Sequence, residues 1–120
     1  MAVQAGADAI VVSNHGGRQL DGAPASIDAL PAIVAQVGNQ PCEVWMDGGI
    51  RSGQHIFKAL ALGASATLVG RSYIYGLGAL GQAGVSKALQ VLRNELDLTM
   101  AFCGLRDIKQ VSDKVIWKSD

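Results

Sequence analysis

The sequence predicts an α/β fold in which strands and helices alternate along the chain. Three short apolar segments have the composition of strands, and a stretch with helical length and apolar spacing separates each one from the next. The strand segments are almost continuously apolar, a pattern typical of parallel strands that are covered on both faces. The order strand, helix, strand, helix, strand therefore indicates a parallel sheet.

The first strand is expected at residues 9–13, and its centre is Ile10-Val11-Val12. Residues 2–5 before it have the composition of the last turn of a helix, which Gly6 can end because glycine tolerates the left-handed conformation.

The first complete helix follows this strand and can begin either at Ser26 or at the residues just before Pro31. Proline is tolerated in the first turn of a helix but is costly deeper inside it. The helix is expected to continue to Val37 and to end at Gly38.

The second and third strands are expected at residues 44–46 and 66–69. Between them, Ser52 is a suitable N-cap for a helix that runs to Leu62 and ends at Gly63.

Two further helices are predicted after the third strand. The longer one is amphipathic and runs from about Val85 to Met100, and the shorter one lies near residues 107–111.

Composition points to a globular protein without a strongly charged partner. The chain is 49% hydrophobic and 17% charged, and it has no basic or acidic block that would suggest binding to nucleic acid or anionic lipid. Its two cysteines, Cys42 and Cys103, indicate neither a disulfide framework nor a metal site. A cytoplasmic location is expected, with peripheral membrane association as the alternative, since no signal peptide or membrane-spanning segment is recognisable.

Glycine-rich polar runs follow each of the three strands, and they predict a phosphate site. The runs are Ser13-Asn-His-Gly-Gly-Arg-Gln-Leu-Asp-Gly22, Asp47-Gly-Gly-Ile-Arg-Ser-Gly53 and Gly70-Arg71. Ligands of parallel α/β proteins lie at the carboxyl ends of the strands. There Gly48 and Gly49 would let the backbone approach an anion, the amides of the helix opened by Ser52 would point at it, and two arginines would supply forked donors. A tight turn is the alternative interpretation of the second run alone.

This placement suggests an incomplete (β/α)8 barrel. In such barrels the phosphate often lies in the loops after strands seven and eight, and about 250 residues form the whole barrel. The 120 residues would then supply strands six to eight of a C-terminal part.

His15 and Arg18 form a second candidate site, for a substrate. An imidazole can take up a proton near neutral pH, and a guanidinium can hold a carboxylate in a bidentate manner. A base beside a carboxylate anchor suggests an α-substituted acid as substrate.

The quoted runs, together with KALALGA at residues 58–64 and the ELDLTMAFCGLRDI segment at residues 95–108, resemble the C-terminal part of the FMN-dependent α-hydroxy acid dehydrogenases and oxidases. This is the family of glycolate oxidase, L-lactate dehydrogenase, lactate oxidase and mandelate dehydrogenase. The resemblance covers nearly the whole chain, so residues 1–120 are expected to be one partial domain.

The resemblance implies FMN as cofactor and oxidation of an L-2-hydroxy acid to a 2-oxo acid. His15 would be the general base, Arg18 would bind the substrate carboxylate, and Ser13 would touch the flavin. The remaining cofactor residues would hold the ribityl and phosphate groups: Asp47, Gly48, Gly49, Ile50, Arg51, Gly70 and Arg71. No metal is implied. The electron acceptor would be oxygen, a quinone or a cytochrome, and the complete enzyme would be a homo-oligomer, a tetramer.

Two alternatives remain beside this reading. One is a different phosphate-binding barrel enzyme, such as a nucleotide dehydrogenase or an isomerase, and the other is a truncated chain without activity. The other polar residues are interpreted as structural. Tyr73 and Tyr75 are expected to pack against neighbouring helices, with a place in the pocket lining as the alternative, and Cys103 is interpreted as a small apolar filler. The side chains expected to be solvated are Asp21, Asp28, His55, Lys58, Lys87 and Arg93.

Overall fold

The computed structural model describes residues 1–117, which form a three-stranded parallel sheet with helices. The strands are β1 (Ala9–Val12), β2 (Glu43–Met46) and β3 (Ala66–Thr67), and they lie side by side in sequence order. Val11 pairs with Trp45, and Trp45 pairs with Ala66. Because parallel strands are joined by right-handed crossovers, this order places both connecting helices on one face of the sheet. The predicted α/β class is confirmed.

Three α-helices and four 3-10 turns complete the described fold. The helices are α1 (Ser26–Val37), α2 (Gly53–Ala61) and α3 (Arg71–Phe102), and the turns are Val3–Ala5, His15–Gly17, Ile108–Gln110 and Asp113–Val115. Gly6 ends the first turn with a φ of 84°, as the sequence predicted. Ser52 caps α2 through its hydroxyl, also as predicted.

The core lies between the sheet and the helices α1 and α2. It contains alternate residues of the strands together with helical and loop residues: Val12, Val44 and Met46, with Leu30, Val37, Ile50, Ala59 and Ala64. The opposite face is open, since Val11 is 45% exposed and Leu68 is 41% exposed. The prediction of strands buried on both faces is therefore wrong for residues 1–117, because no described element covers this second face.

Helix α1 begins at Ser26, so Pro31 lies in its second turn rather than its first. A proline there leaves the carbonyl of Ile27 without its usual helical donor. Packing of the fully buried Leu30, next to the proline, offsets this cost, and Pro31 itself lies on the exposed side of the helix.

Helix α3 differs most from the prediction, which placed its start near Val85. It starts at Arg71 and is broken at Leu80 and Gly81, where the backbone leaves helical geometry. The break lets the two arms of α3 cross at Gly76 and Gly84, where a Cβ on either residue would overlap the other backbone. Glycines disfavour a helix in isolation, which is why the first arm was missed.

Candidate active site

The three strand ends converge on one cleft of about 480 Å³. Its lining includes nine of the ten residues that the sequence singled out: His15, Arg18, Asp47, Gly48, Gly49, Ile50, Arg51, Gly70 and Arg71. Parallel pairing of β1, β2 and β3 produces this convergence, because it brings their carboxyl ends to the same edge. Only Ser13 is not part of the lining.

The first segment of the cleft is the His15 loop, residues 13–18. His15 has a φ of 54° and is the only non-glycine residue with positive φ among residues 1–117. Gly16 and Gly17 continue the left-handed run with φ values of 65° and 71°. A non-glycine residue in this region costs about 1 kcal/mol or more and persists only where its surroundings hold it. The oxygen Oγ of Ser13 contributes by accepting the His15 N–H at 3.1 Å.

The second segment is residues 47–53, which we call the phosphate loop after the site that the sequence predicts there. Gly48 and Gly49 both have positive φ, at 84° and 79°. A Cβ on Gly48 would lie 2.9 Å from Oγ of Ser26, whereas one on Gly49 would meet nothing within 4 Å. Gly48 therefore has to be glycine for packing, and Gly49 leaves its backbone open to a ligand.

Two amides in the first turn of helix α2 already have acceptors within the protein, which differs from the expectation that the first amides of this helix point at an anion. The Gly53 N–H donates to Oε2 of Glu95 at 2.8 Å, and the His55 N–H donates to Oγ of Ser52 at 3.2 Å. A carboxylate is favourable at a helix N-terminus because it compensates the helix dipole, and here α3 supplies one.

His55 also reaches back to the phosphate loop. Its Nδ1 lies 3.2 Å from the Arg51 backbone nitrogen, which donates to it, and 3.1 Å from the Gly49 carbonyl oxygen. His55 is exposed, as predicted, but it also helps to hold this loop, a role that no sequence pattern indicated.

The third segment, Gly70-Arg71, starts α3 inside the cleft. A Cβ on Gly16 would lie 3.3 Å from Nη2 of Arg71, so this guanidinium extends across to the His15 loop. The hydroxyl of Ser72 donates to the Ile50 carbonyl at 3.1 Å and ties the start of α3 to the phosphate loop. Helix N-termini and guanidinium groups both favour anions.

The cleft fits a ligand that carries both hydroxyl and phosphate groups. Oδ1 of Asp47 is buried and has no hydrogen-bond partner within residues 1–117. A buried acceptor of this kind needs a donor, which a hydroxyl would supply. Within the same residues no carboxylate pairs with the exposed guanidinium groups of Arg18, Arg51 or Arg71, and an anion would satisfy them.

Two structural interpretations from the sequence are wrong. Tyr75 is 71% exposed rather than packed between helices, because it projects from the first arm of α3. Cys103 caps the end of α3 and is exposed rather than a core filler. The predicted solvation of the charged side chains is confirmed for Asp21, Asp28, Lys58, Lys87 and Arg93.

Comparison with known proteins gives a match to the family model "FMN-dependent dehydrogenase" over residues 1–118. The chain is 57% identical over 110 residues to an L-lactate oxidase of Nostoc sp., covering 92% of this chain and 30% of that protein. It is 53% identical over 111 residues to a pre-mycofactocin synthase of Mycobacterium tuberculosis, covering 92% of this chain and 28% of that protein.

A solved structure described as the monotopic membrane protein (S)-mandelate dehydrogenase superposes with a TM-score of 0.91 at 42% identity. The superposition covers 98% of this chain and 31% of that one. The chain thus spans about 30% of the length of the curated relatives it matches.

Proposed function

Because the chain belongs to the FMN-dependent dehydrogenase family, we propose that its cleft binds FMN and takes part in oxidising an L-2-hydroxy acid to the 2-oxo acid. The observation that carries this proposal is the meeting of one histidine and three guanidinium groups at adjacent strand ends. We place β1, β2 and β3 as strands six to eight of a (β/α)8 barrel, whose remaining strands would cover the open face of the sheet.

FMN supplies the electron chemistry when it is bound, by accepting two electrons from the substrate. On the protein side, the unpartnered carboxylate of Asp47 would accept hydrogen bonds from ribityl hydroxyls. Gly48 and Gly49 would let the backbone approach the cofactor closely. Arg51 and the start of α3 at Gly70-Arg71 would hold the phosphate.

His15 and Arg18 are assigned to the substrate. Oxidation of a 2-hydroxy acid removes two electrons and two protons from its α-carbon and hydroxyl group. The imidazole of His15 would take one of these protons, and the other would be taken up together with the electron pair by the bound cofactor. The forked guanidinium of Arg18 would hold the carboxylate so that the α-carbon faces the base. Ser13 would support this arrangement through its bond to the His15 N–H.

The relatives leave the substrate within this class open, since one bears the name of a lactate oxidase and another of a mandelate dehydrogenase. Three properties stay predictions: the electron acceptor (oxygen, a quinone or a cytochrome), a tetrameric assembly and a cytoplasmic location. Within residues 1–117 no helix is both long and apolar enough to cross a membrane.

A chimeric enzyme tests the proposed function. In this protein, called the chimera below, the matched segment of the Nostoc sp. L-lactate oxidase is replaced by the corresponding residues of this chain. We expect the chimera to purify with stoichiometric FMN, and L-lactate should bleach its visible absorption in the absence of oxygen. FMN loading without bleaching by any L-2-hydroxy acid would instead favour another reaction of the family.

The 120-residue chain by itself should show neither property. As an isolated sheet it has two unpaired edges, at β1 and β3, and an exposed apolar face that includes Val11 and Leu68. Such edges and faces favour self-association over a flavin-loaded monomer. Absorption spectroscopy after mixing the chain with FMN and L-lactate checks this, and stoichiometric flavin with turnover would show that the chain closes a site on its own.

A further inference from the structure

We propose that Asn14 and Ser26 are positioning residues that hold His15 in its left-handed conformation and thereby fix the direction of its imidazole in the cleft. The inference rests on the proposed function in one respect, which is the role of His15 as the base. The contacts themselves are independent of that role.

Asn14 uses both groups of its side-chain amide and its backbone N–H to close the segment that contains His15. Its Oδ1 accepts the Gly16 N–H at 3.0 Å, and its Nδ2 donates to the Pro24 carbonyl at 3.2 Å. Its backbone N–H donates to Oγ of Ser26 at 3.2 Å. These three bonds connect the residues on both sides of His15 to the far end of the loop, where α1 begins.

Ser26 is suited to be the fixed end of this connection. It is 4% exposed and is the only buried polar residue among residues 1–117. It is the first residue of α1, but its hydroxyl accepts from Asn14 rather than from an amide of its own helix. Since α1 packs into the core through the fully buried Leu30, the hydroxyl of Ser26 is held by a helix that is anchored in the core.

Gly48 confines Asn14 from the side of β2. A Cβ at this position would lie 3.0 Å from Oδ1 of Asn14 and 2.9 Å from Oγ of Ser26. The pair is therefore in close contact with the phosphate loop as well as with the His15 loop. Gly48 bounds the pair on this side by contact alone, because no hydrogen bond joins it to Asn14 or Ser26.

Loss of this support should release the backbone of His15 rather than unfold the protein. Residues other than glycine avoid positive φ unless neighbouring bonds hold them there. A change of φ at His15 would swing the imidazole away from the substrate, and a misplacement of about 1 Å can cost about a hundredfold in rate. The cofactor would still bind, since Arg51 and Arg71 lie on other strand ends.

The test uses Ser26→Ala in the chimera, with Ser86→Ala as the matched control because Ser86 is exposed on α3. We expect Ser26→Ala to slow flavin reduction by L-lactate about tenfold to a hundredfold, with FMN content unchanged. In a His15→Asn background the same substitution should change the rate by less than about twofold, because residues that act as a unit are not additive. A general structural role would instead lower the rate equally in both backgrounds.

Hydrogen exchange gives a readout that does not depend on turnover. Measured by mass spectrometry on the chimera, amide exchange in residues 13–18 should become faster in Ser26→Ala and in Asn14→Ala, but not in Ser86→Ala. A chimera that fails to reduce flavin would overturn the proposed function while leaving this measurement valid. Unchanged exchange in both variants, or equal rate losses with and without His15, would overturn the positioning role.

Discussion

The His15 loop and the phosphate loop are both glycine-rich segments that follow a parallel strand, but they are held in different ways. The His15 loop is fixed by bonds to residues nearby in the chain, from Ser13 to Ser26. The phosphate loop is fixed in part by Glu95 of α3, which lies 42 positions away from its partner Gly53.

This difference matches the two roles that we propose for the site. Local bonds can hold a non-glycine residue in a strained conformation, which His15 needs in order to present its side chain. A contact with the second arm of α3 instead holds the phosphate loop from a distance, and the Ser72 hydroxyl ties this loop to the start of α3, which an anion shared between the loop and Arg71 would require. We therefore expect substitutions in the first loop to affect chemistry and those in the second to affect cofactor binding.

The largest effect should come from His15→Asn in the chimera. Asparagine has a similar size but lacks a basic nitrogen, so flavin reduction by L-lactate should slow about a hundredfold to ten-thousandfold, the usual contribution of a general base. FMN content should stay at the parental level, because the phosphate loop is untouched. Stopped-flow reduction at the parental rate would show that His15 is not the base.

The next largest effect should be on FMN affinity and should come from the arginines. Arg51→Ala or Arg71→Ala should each weaken FMN binding about tenfold to a hundredfold, since a hydrogen bond to a charged group contributes about 1.5 to 3 kcal/mol. Arg18→Lys should leave FMN binding nearly unchanged and raise KM for L-lactate, because an ammonium cannot reproduce the forked contact. Titration of FMN into the three apo-chimeras measures the FMN affinity. Equal affinities would contradict the assignment of Arg51 and Arg71 to the cofactor and of Arg18 to the substrate.

Local sequence patterns predicted the strands and the caps at Gly6 and Ser52, and together with the family resemblance they predicted nine of the thirteen residues that line the cleft. They could do so because parallel pairing brings successive strand ends together whatever the rest of the chain does. The first arm of α3 escaped prediction because its glycines disfavour a helix locally and are explained only by the crossing of Gly76 with Gly84. The resemblance to the family is confirmed by the match over residues 1–118.

The contacts that hold the two loops were less predictable than the loops themselves. Ser26 was recognised as a helix start, but its bond to Asn14 depends on how the loop folds back. Glu95 lies on an amphipathic helix and has no local feature that distinguishes it from other charged residues. Pairing it with Gly53 requires the packing of α2 against α3, which spacing along the sequence does not encode.

Gly53→Ala tests the contact between the phosphate loop and α3 by adding a methyl group where α2 packs against α3. A Cβ at this position would overlap the backbone nitrogen of Leu96, so α2 and α3 would have to separate. We expect a destabilisation of about 1 to 3 kcal/mol, typical of overpacking, together with weaker FMN binding. Gly78→Ala is the control, because a Cβ there meets nothing within 4 Å and alanine favours the helix. Thermal unfolding measures the melting temperatures of the two apo-chimeras. Equal melting temperatures would show that α2 and α3 can separate without a loss of stability.

Glu95→Ala should give the smallest effect, because it removes one hydrogen bond and leaves the packing intact. A bond from a backbone N–H to a carboxylate contributes about 1.5 to 3 kcal/mol, part of which water can replace at this half-buried position. FMN binding should therefore weaken only about threefold to tenfold, while flavin reduction by bound L-lactate keeps its parental rate. Glu95→Gln keeps an oxygen acceptor for the Gly53 N–H and should restore most of the affinity, which separates the hydrogen bond from the charge. If Glu95→Ala slows reduction but leaves FMN affinity unchanged, the division of tasks between the two loops is wrong, because the distant contact would then serve the base rather than the cofactor.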